Sequence, residues 1–228
     1  MIKLAISGYK GKMGSRITAI AEEDSEFNIT ARIEINDSIE AIKAADVLIE
    51  FTTPDATIEH VRACVKFSRA MIIGTTGLNE QQFSEIKLAA KKIPIVFSPN
   101  MSVGVHCLFD LARSAAAKLG SDYKVNIIEA HHVHKKDAPS GTAKKLAQII
   151  KEATGSDVQD IKAIREGEII GDHRVIFESS VDRIELFHSA KTRDIFVLGA
   201  LKAAKFVVGK KPKLYSMQDV LAVVVGSA

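Results

Sequence analysis

The residues best equipped for chemistry lie in one stretch, Glu129-Ala130-His131-His132-Val133-His134-Lys135-Lys136-Asp137-Ala138-Pro139-Ser140-Gly141-Thr142. An imidazole titrates near neutral pH and can give or take a proton, and a lysine adds fixed positive charge. The stretch follows a run read as a strand, Lys124 to Ala130, and precedes an amphipathic run read as a helix, Thr142 to Ala153. The backbone N–H groups of Ser140 to Thr142 open that helix and form an anion-binding end. Pro139 fixes its own φ and Gly141 permits an unusual one, so the turn is constrained. Proton-transfer groups, positive charge and a cradle for a carboxylate or phosphate on one loop point to a substrate site. A solvated surface loop is one alternative and a metal site another. Adjacent histidines at a strand end face opposite ways, which separates His131 from His132. His132 and His134 can face one metal, with the carboxylates of Glu129 and Asp137 nearby to complete a set.

The elements that must position this loop begin at the N-terminus. Lys3 to Ser7 reads as a short strand, followed by Gly8-Tyr9-Lys10-Gly11-Lys12-Met13-Gly14 and a helix from Ser15 to Glu23. Strand, glycine turn and helix suit a dinucleotide, whose pyrophosphate approaches bare backbone at a helix N-terminus. The spacing is G-x-x-G-x-x-G rather than G-x-G-x-x-G, and such a turn can also serve packing alone. Glu34 closes a second strand, Phe27 to Ile33, about 20 residues after the turn, where a ribose-binding acid belongs. Ile35 follows it and offers no cation for a 2′-phosphate, although Arg32 or Lys10 can supply one. The reading favours NADH over NADPH.

Further strands are expected at Asp46 to Phe51, Ala70 to Ile73 and Pro94 to Phe97, alternating with helices at Ile39 to Ala44, Thr57 to Phe67 and Asn79 to about Lys91. This rhythm implies a Rossmann-like, doubly wound parallel sheet, whose ligand lies beyond the carboxyl ends of the strands. Gly8, Glu34, Phe51-Thr52, Gly74-Thr75-Thr76 and Ser98-Pro99-Asn100-Met101 sit at those ends. After a helix from Val103 to Leu119 the rhythm changes: strands at Lys124 to Ala130, Ile161 to Arg165, Val175 to Ser179 and Arg183 to Phe187 surround one long helix. That is an α+β pattern with a mixed or antiparallel sheet, hence a second domain. Helical periodicity returns over Asp194 to Val208, with Phe196, Leu198, Leu201 and Phe206 as its apolar surface. Ser216-Met217-Gln218-Asp219 resembles a cap for a last short element ending at Ala222 to Val225.

The 228 residues suffice for one large or two modest domains, and 46% hydrophobic with 26% charged residues is ordinary for a globular protein. A net charge of +3 does not call for a nucleic acid, and Lys210-Lys211-Pro212-Lys213 reads as a solvated turn. Cys64 and Cys107 both read as reduced, buried thiols. No apolar run reaches the length of a membrane span and no signal-peptide layout is present, so a cytoplasmic protein without a membrane partner is expected.

On these residues the chain resembles the 4-hydroxy-tetrahydrodipicolinate reductase (dihydrodipicolinate reductase) family. The most specific match is Glu129-Ala130-His131-His132 through Lys135, then Asp137 to Ala143. Gly8 to Gly14, Glu50-Phe51-Thr52, Gly74 to Gly77, Asn100 to Val105 and Gly167 to His173 add to it. The resemblance implies a dinucleotide-binding domain of residues 1–101 and 194–228, and a substrate-binding and oligomerisation domain of residues 102–193 in a homotetramer. It implies dinucleotide contacts at Gly8, Tyr9, Lys10, Gly11, Lys12, Met13, Glu34, Phe51, Thr52, Gly74, Thr75, Thr76, Ser98, Pro99, Asn100 and Met101. His131 and Lys135 become the proton donors. His132, Ser140, Gly141, Thr142 and Arg193 bind a small dicarboxylate substrate, and no metal takes part. Bending is then expected near Met101–Ser102 and around Arg193. Segments after Glu34 and between Gly155 and Arg165 are shorter than in many members. Two other functions remain compatible with the residues alone: a dinucleotide sensor whose His loop meets a protein partner, and a hydrolase using a metal on His132 and His134.

Overall fold

The computed structural model describes residues 1–222 and divides the chain into two compact units, one of residues 1–102 with the segment from Phe196 on, the other of Val103–Ile195. The first unit alternates strictly: β1 (Ile2–Ser7), α1 (Lys12–Glu23), β2 (Phe27–Ile33), a 3-10 turn (Ile39–Ala44), β3 (Val47–Glu50), α2 (Pro54–Phe67), β4 (Ala70–Ile73), α3 (Glu80–Ala89) and β5 (Pro94–Phe97). Every residue of β3 and of β4 is buried, as parallel strands covered on both faces require. Thr53 caps α2 with Pro54 at its first position, and Asn79 with Gln82 forms a reciprocal capping box on α3.

The second unit runs α4 (Val103–Leu119), β6 (Lys124–His131), α5 (Gly141–Thr154), β7 (Asp160–Arg165), β8 (Asp172–Glu178) and β9 (Arg183–Ser189). Its sheet has the order β7-β6-β8-β9, with β6 parallel to β7 and antiparallel to β8, so it is mixed. Helices α4 and α5 cover one face, where Leu108, Phe109, Leu146 and Ile150 meet Val125, Ile127, Val175 and Phe177. On the opposite face Arg174 lies over the ring of Phe187, which is 55% exposed.

The chain then returns to the first unit through α6 (Asp194–Val207), β10 (Lys213–Tyr215) and α7 (Met217–Ala222). Among the described residues the first sheet has six parallel strands in the order β10-β5-β4-β3-β1-β2. The two-part α/β plus α+β architecture is the one expected from the rhythm of the sequence. Gly199 in α6 lies against the end of the segment after β5; a Cβ there would stand 1.7 Å from the Met101 carbonyl oxygen.

Some expectations change. Lys213 starts a strand rather than ending a solvated turn. With three residues, Lys213 exposed and Leu214 and Tyr215 half-buried, β10 is too short to show an apolar alternation. Helix α6 buries Val197, Ala200, Leu201 and Ala204, whereas Leu198 is exposed. Cys64 is buried, and burial pushes its thiol up, but Cys107 is exposed on α4. Gly141 is an ordinary first helical residue without positive φ, and the Ala138–Pro139 bond before it is cis. The expected end of the last element, beyond Ala222, lies outside the described residues. No helix among those described is long and apolar enough to cross a membrane.

Candidate active site

In the first unit the glycine turn wraps onto the end of β1. Gly8 has φ +71° and its N–H donates to Ile33 O at 2.8 Å, while Gly11 N–H donates back to Gly8 O at 2.9 Å. Helix α1 starts at Lys12, earlier than the periodicity indicated, because Gly11 serves as N-cap. Gly11 provides no side-chain cap and no acid occupies the first turn, so the leading N–H groups present a helix N-terminus suited to an anion. A Cβ on Gly14 would stand 2.0 Å from the Gly8 oxygen, which shows how closely α1 approaches the turn. Glu34 closes β2 beside it and accepts the Lys10 N–H at 2.5 Å. Lys10, Gly11 and Lys12 are exposed; Tyr9 and Met13 are half-buried.

The ends of β3 and β4 are tied together by Glu50. Its buried carboxylate accepts the Thr52 N–H at 2.8 Å, the Thr57 hydroxyl at 2.9 Å, the Thr75 hydroxyl at 2.9 Å and the Thr52 hydroxyl. Burial pushes the Glu50 carboxyl up, against the pull of these threonines. Phe51 packs on Gly74, where a Cβ would stand 2.1 Å from the ring. Thr75 is buried, and Thr76 is exposed. After β5 the Ser98 hydroxyl donates to Asn100 O at 2.5 Å, and Asn100 Oδ1 accepts the Ser102 N–H at 2.8 Å, fixing Ser98-Pro99-Asn100-Met101 with Met101 buried. These segments follow the strands β1, β2, β3, β4 and β5 of one parallel sheet, where ligands of such sheets lie.

In the second unit, strand alternation places Val125, Ile127, Glu129 and His131 on the same buried face of β6. His131 Nδ1 is hydrogen-bonded to Glu129, which is fully buried. Arg165, opposite His131 on β7, grips Glu129 with two N–H groups at 2.9 and 3.1 Å. The Ser140 N–H donates to the same carboxylate at 3.1 Å. Burial pushes Glu129 up, but bonds from Arg165, His131 and Ser140 outweigh it and hold the carboxyl below its ordinary value. His131 is lowered by burial and by the charges of Lys135 and Arg165, against the raising effect of Glu129. His173 on β8 meets the His131 ring edge-on, 5.2 Å between centroids, and burial takes it down to about 3. Its Nε2 lies 3.3 Å from Ser140 Oγ, which caps α5 by accepting the Ala143 N–H at 3.2 Å.

Lys135 is half-buried and pairs with Asp137 at 2.8 Å, which lowers the Asp137 carboxyl. Gly141 and Thr142 form the first turn of α5, again with no acid in that turn. Thus His131, Lys135, Ser140, Gly141 and Thr142 share one neighbourhood of loop and strand. His132 borders it: its N–H donates to Ile169 O at 2.6 Å, and its Nδ1 is buried without a partner among the described residues. Arg193 is exposed just before α6 and takes no part in the Glu129 network. Among the described residues no three His, Cys, Asp or Glu side chains are grouped to hold a metal.

The sequence names Arg165 only as a strand end, Glu50 and His173 only within segments that match the family, and Glu129 only in the signature stretch and as a possible metal ligand; none of the four receives a role there. The available clue was two consecutive polar positions, Glu129 and His131, on the inward phase of an otherwise apolar strand.

Comparison with known proteins covers both halves of the chain. The family model "Dihydrodipicolinate reductase, N-terminus" matches residues 2–101 and its C-terminus counterpart residues 104–221. A 4-hydroxy-tetrahydrodipicolinate reductase of Syntrophus aciditrophicus is 38% identical over 97% of this chain and 98% of its own length, and one of Methanoculleus marisnigri is 38% identical over 97% and 99%. The structure of dipicolinate-bound dihydrodipicolinate reductase from Paenisporosarcina sp. TG-14 superposes with a TM-score of 0.84 at 25% identity, covering 96% of this chain and 99% of that one. An engineered D-amino acid dehydrogenase bound to NADP+ shares the fold alone, with a TM-score of 0.58, 12% identity and coverage of 98% and 99%. With both halves matched and relatives aligned nearly end to end, the chain belongs to the dihydrodipicolinate reductase family.

Proposed function

We propose that this chain reduces 4-hydroxy-tetrahydrodipicolinate, through dihydrodipicolinate, to tetrahydrodipicolinate in the diaminopimelate route to lysine, using a reduced nicotinamide dinucleotide. The observation that carries the reading is His131 with one ring nitrogen held by Glu129, beside Lys135 and the N-terminus of α5. Two kinds of anchor suit a dicarboxylate: the Gly141 and Thr142 N–H groups after Ser140, and the cationic or polar side chains of Lys135 and His132, with Arg193 as a further candidate.

The first unit fits the cofactor. The uncapped start of α1, the bare turn at Gly8 and Gly11 and the close approach at Gly14 leave backbone rather than side chains facing a pyrophosphate. Tyr9 to Met13, Glu34, Phe51-Thr52, Gly74 to Thr76 and Ser98 to Met101 would hold it. Bound there, the dinucleotide supplies a hydride. Once the 4-hydroxyl has left as water, the conjugated imine takes that hydride at C4, an electron pair moves toward the ring nitrogen and an enamine remains. His131 supplies the proton that this enamine needs at carbon, and Lys135 stabilises the negative charge as it gathers. Two substrate carboxylates beside His131 push its pKa back toward neutrality.

Glu34 favours NADH, because a carboxylate accepts from ribose hydroxyls and repels a 2′-phosphate. Arg32 is engaged by Glu22 at 2.5 Å, and exposed Ile35 offers no cation. Ile35→Arg is expected to raise kcat/KM for NADPH relative to NADH by about tenfold, the worth of one charge-assisted hydrogen bond. An unchanged ratio would show that this position does not face the adenosine ribose. The face of the mixed sheet carrying Phe187 supports a homotetramer, which light scattering checks by mass.

The function is tested by following NADH absorbance with freshly prepared substrate, with and without chelator. Substrate-dependent, chelator-insensitive oxidation is expected. NADH binding without oxidation would favour a sensor, and loss of activity with chelator would favour a metal enzyme.

A further inference from the structure

We propose that the Glu129–Arg165 pair is the positioning device of this site, with Glu129 fixing the tautomer of His131 and Arg165 registering the Lys135 loop on the same carboxylate. The inference rests on the reading of His131 as proton donor. An ionised carboxylate only accepts hydrogen bonds, so the proton shared with Glu129 belongs to His131 Nδ1. Nε2 is then the atom that exchanges a proton with substrate. Its side of the ring borders Gly171, where a Cβ would stand 3.1 Å from Nε2, so glycine keeps that edge clear. After giving up its proton from Nε2, the ring is left in the tautomer that Glu129 already holds. It needs no flip before the next turnover.

Arg165 extends the device. Besides gripping Glu129, its Nε donates to the Lys135 carbonyl at 3.3 Å and Nη2 donates to the Asp137 carbonyl. Lys135 returns to Asp137 through its ammonium, and the N–H of Ser140, which opens α5, donates to Glu129 Oε1, the oxygen that Arg165 Nη2 also holds. One carboxylate–guanidinium pair therefore sets the mutual positions of the imidazole, the ammonium and the helix N-terminus. The groups facing His131 are Glu129 on its own strand, Lys135 and Ser140 from the loop, Arg165 from β7 and His173 from β8, with His188 on β9 opposite His173. Burial holds His173 neutral, so Glu129 raises the His131 pKa while Arg165 and Lys135 lower it.

A purely structural ion pair and a positioning device make different predictions for proton affinity. Glu129→Gln keeps an acceptor for Nδ1 but removes the charge. It should lower kcat about 10- to 1,000-fold, leave the KM for NADH unchanged and move the alkaline limb of the kcat profile to lower pH by about one unit. Arg165→Gln should move that limb the opposite way, and Glu129→Asp should restore it toward wild type. Opposite displacements do not arise from a loosened fold. The wild-type protein provides a check that needs no stable variant: the 15N spectrum of its imidazoles, with His131 assigned by its loss in His131→Gln, should show the Nδ1–H tautomer. An Nε2–H tautomer, or variants that melt earlier yet keep the wild-type limb, overturns the inference. Wild-type turnover in His131→Gln itself would instead overturn the reading on which it rests.

Discussion

His131→Gln is expected to lower kcat by about two to four orders of magnitude, the usual worth of a positioned general acid, while the Kd for NADH changes less than about twofold. Glutamine preserves a polar side chain of similar reach but cannot deliver a proton near neutral pH. Lys135 remains and still offers positive charge, which supports substrate binding without replacing the acid. The wild-type pH dependence follows from the same group. A general acid works while protonated, so kcat/KM falls as pH rises through the pKa of His131 in the free enzyme. Burial, with Lys135 and Arg165, places that pKa below the ordinary histidine value despite Glu129. The falling limb should therefore begin on the acid side of neutrality and disappear in His131→Gln. Stopped-flow NADH oxidation across pH, with calorimetric titration of NADH, measures both quantities. A variant that retained wild-type kcat would remove His131 from the chemistry.

The second large effect belongs to the other unit. Gly14→Ala would place its Cβ 2.0 Å from the Gly8 oxygen, 2.6 Å from the Gly8 carbonyl carbon and 2.7 Å from the Tyr9 Cα. All three are backbone atoms, so no rotamer change relieves the clash. Helix α1 must withdraw from the turn, carrying the N–H groups of its first turn with it. Overpacking of this kind typically costs about 1–3 kcal/mol of stability, so the melting temperature should drop, and loss of one hydrogen bond from the withdrawn N–H groups to the charged pyrophosphate should lower NADH affinity about 10- to 100-fold. Gly11→Ala is the milder control, with its nearest contact at 3.1 Å. Calorimetry that finds NADH binding to Gly14→Ala unchanged would dissociate the glycine turn from the cofactor.

Much of this organisation was legible in the residues themselves. Val47 to Glu50 and Ala70 to Ile73 announce buried parallel strands by near-continuous apolar character, and Asn79 with Gln82 announces a helix start. The loop from Glu129 to Thr142 declares its chemistry through residue types alone. Arg165 could not be read there: it meets Glu129 only because β7 runs parallel to β6 in one register, and that pairing joins residues far apart in sequence. Glu50 was hidden for a similar reason, since three threonines from separate segments satisfy it. Strand β10 was missed because a short edge strand needs little hydrophobic patterning, and Cys107 because its apolar neighbours Val105, Leu108 and Phe109 are buried on a side of α4 from which Cys107 itself is turned away.

The sheet order carries a consequence for how the protein is made. Strand β5 gains its outer neighbour, β10, and Met101 meets Gly199, only after the whole second unit has been translated. On the ribosome, the nascent chain therefore spends much of its synthesis with the β5 edge unpaired, a template for association with another chain. Release of the C-terminal segment seals that edge, so premature termination before Phe196 would yield an aggregation-prone fragment rather than a smaller working protein.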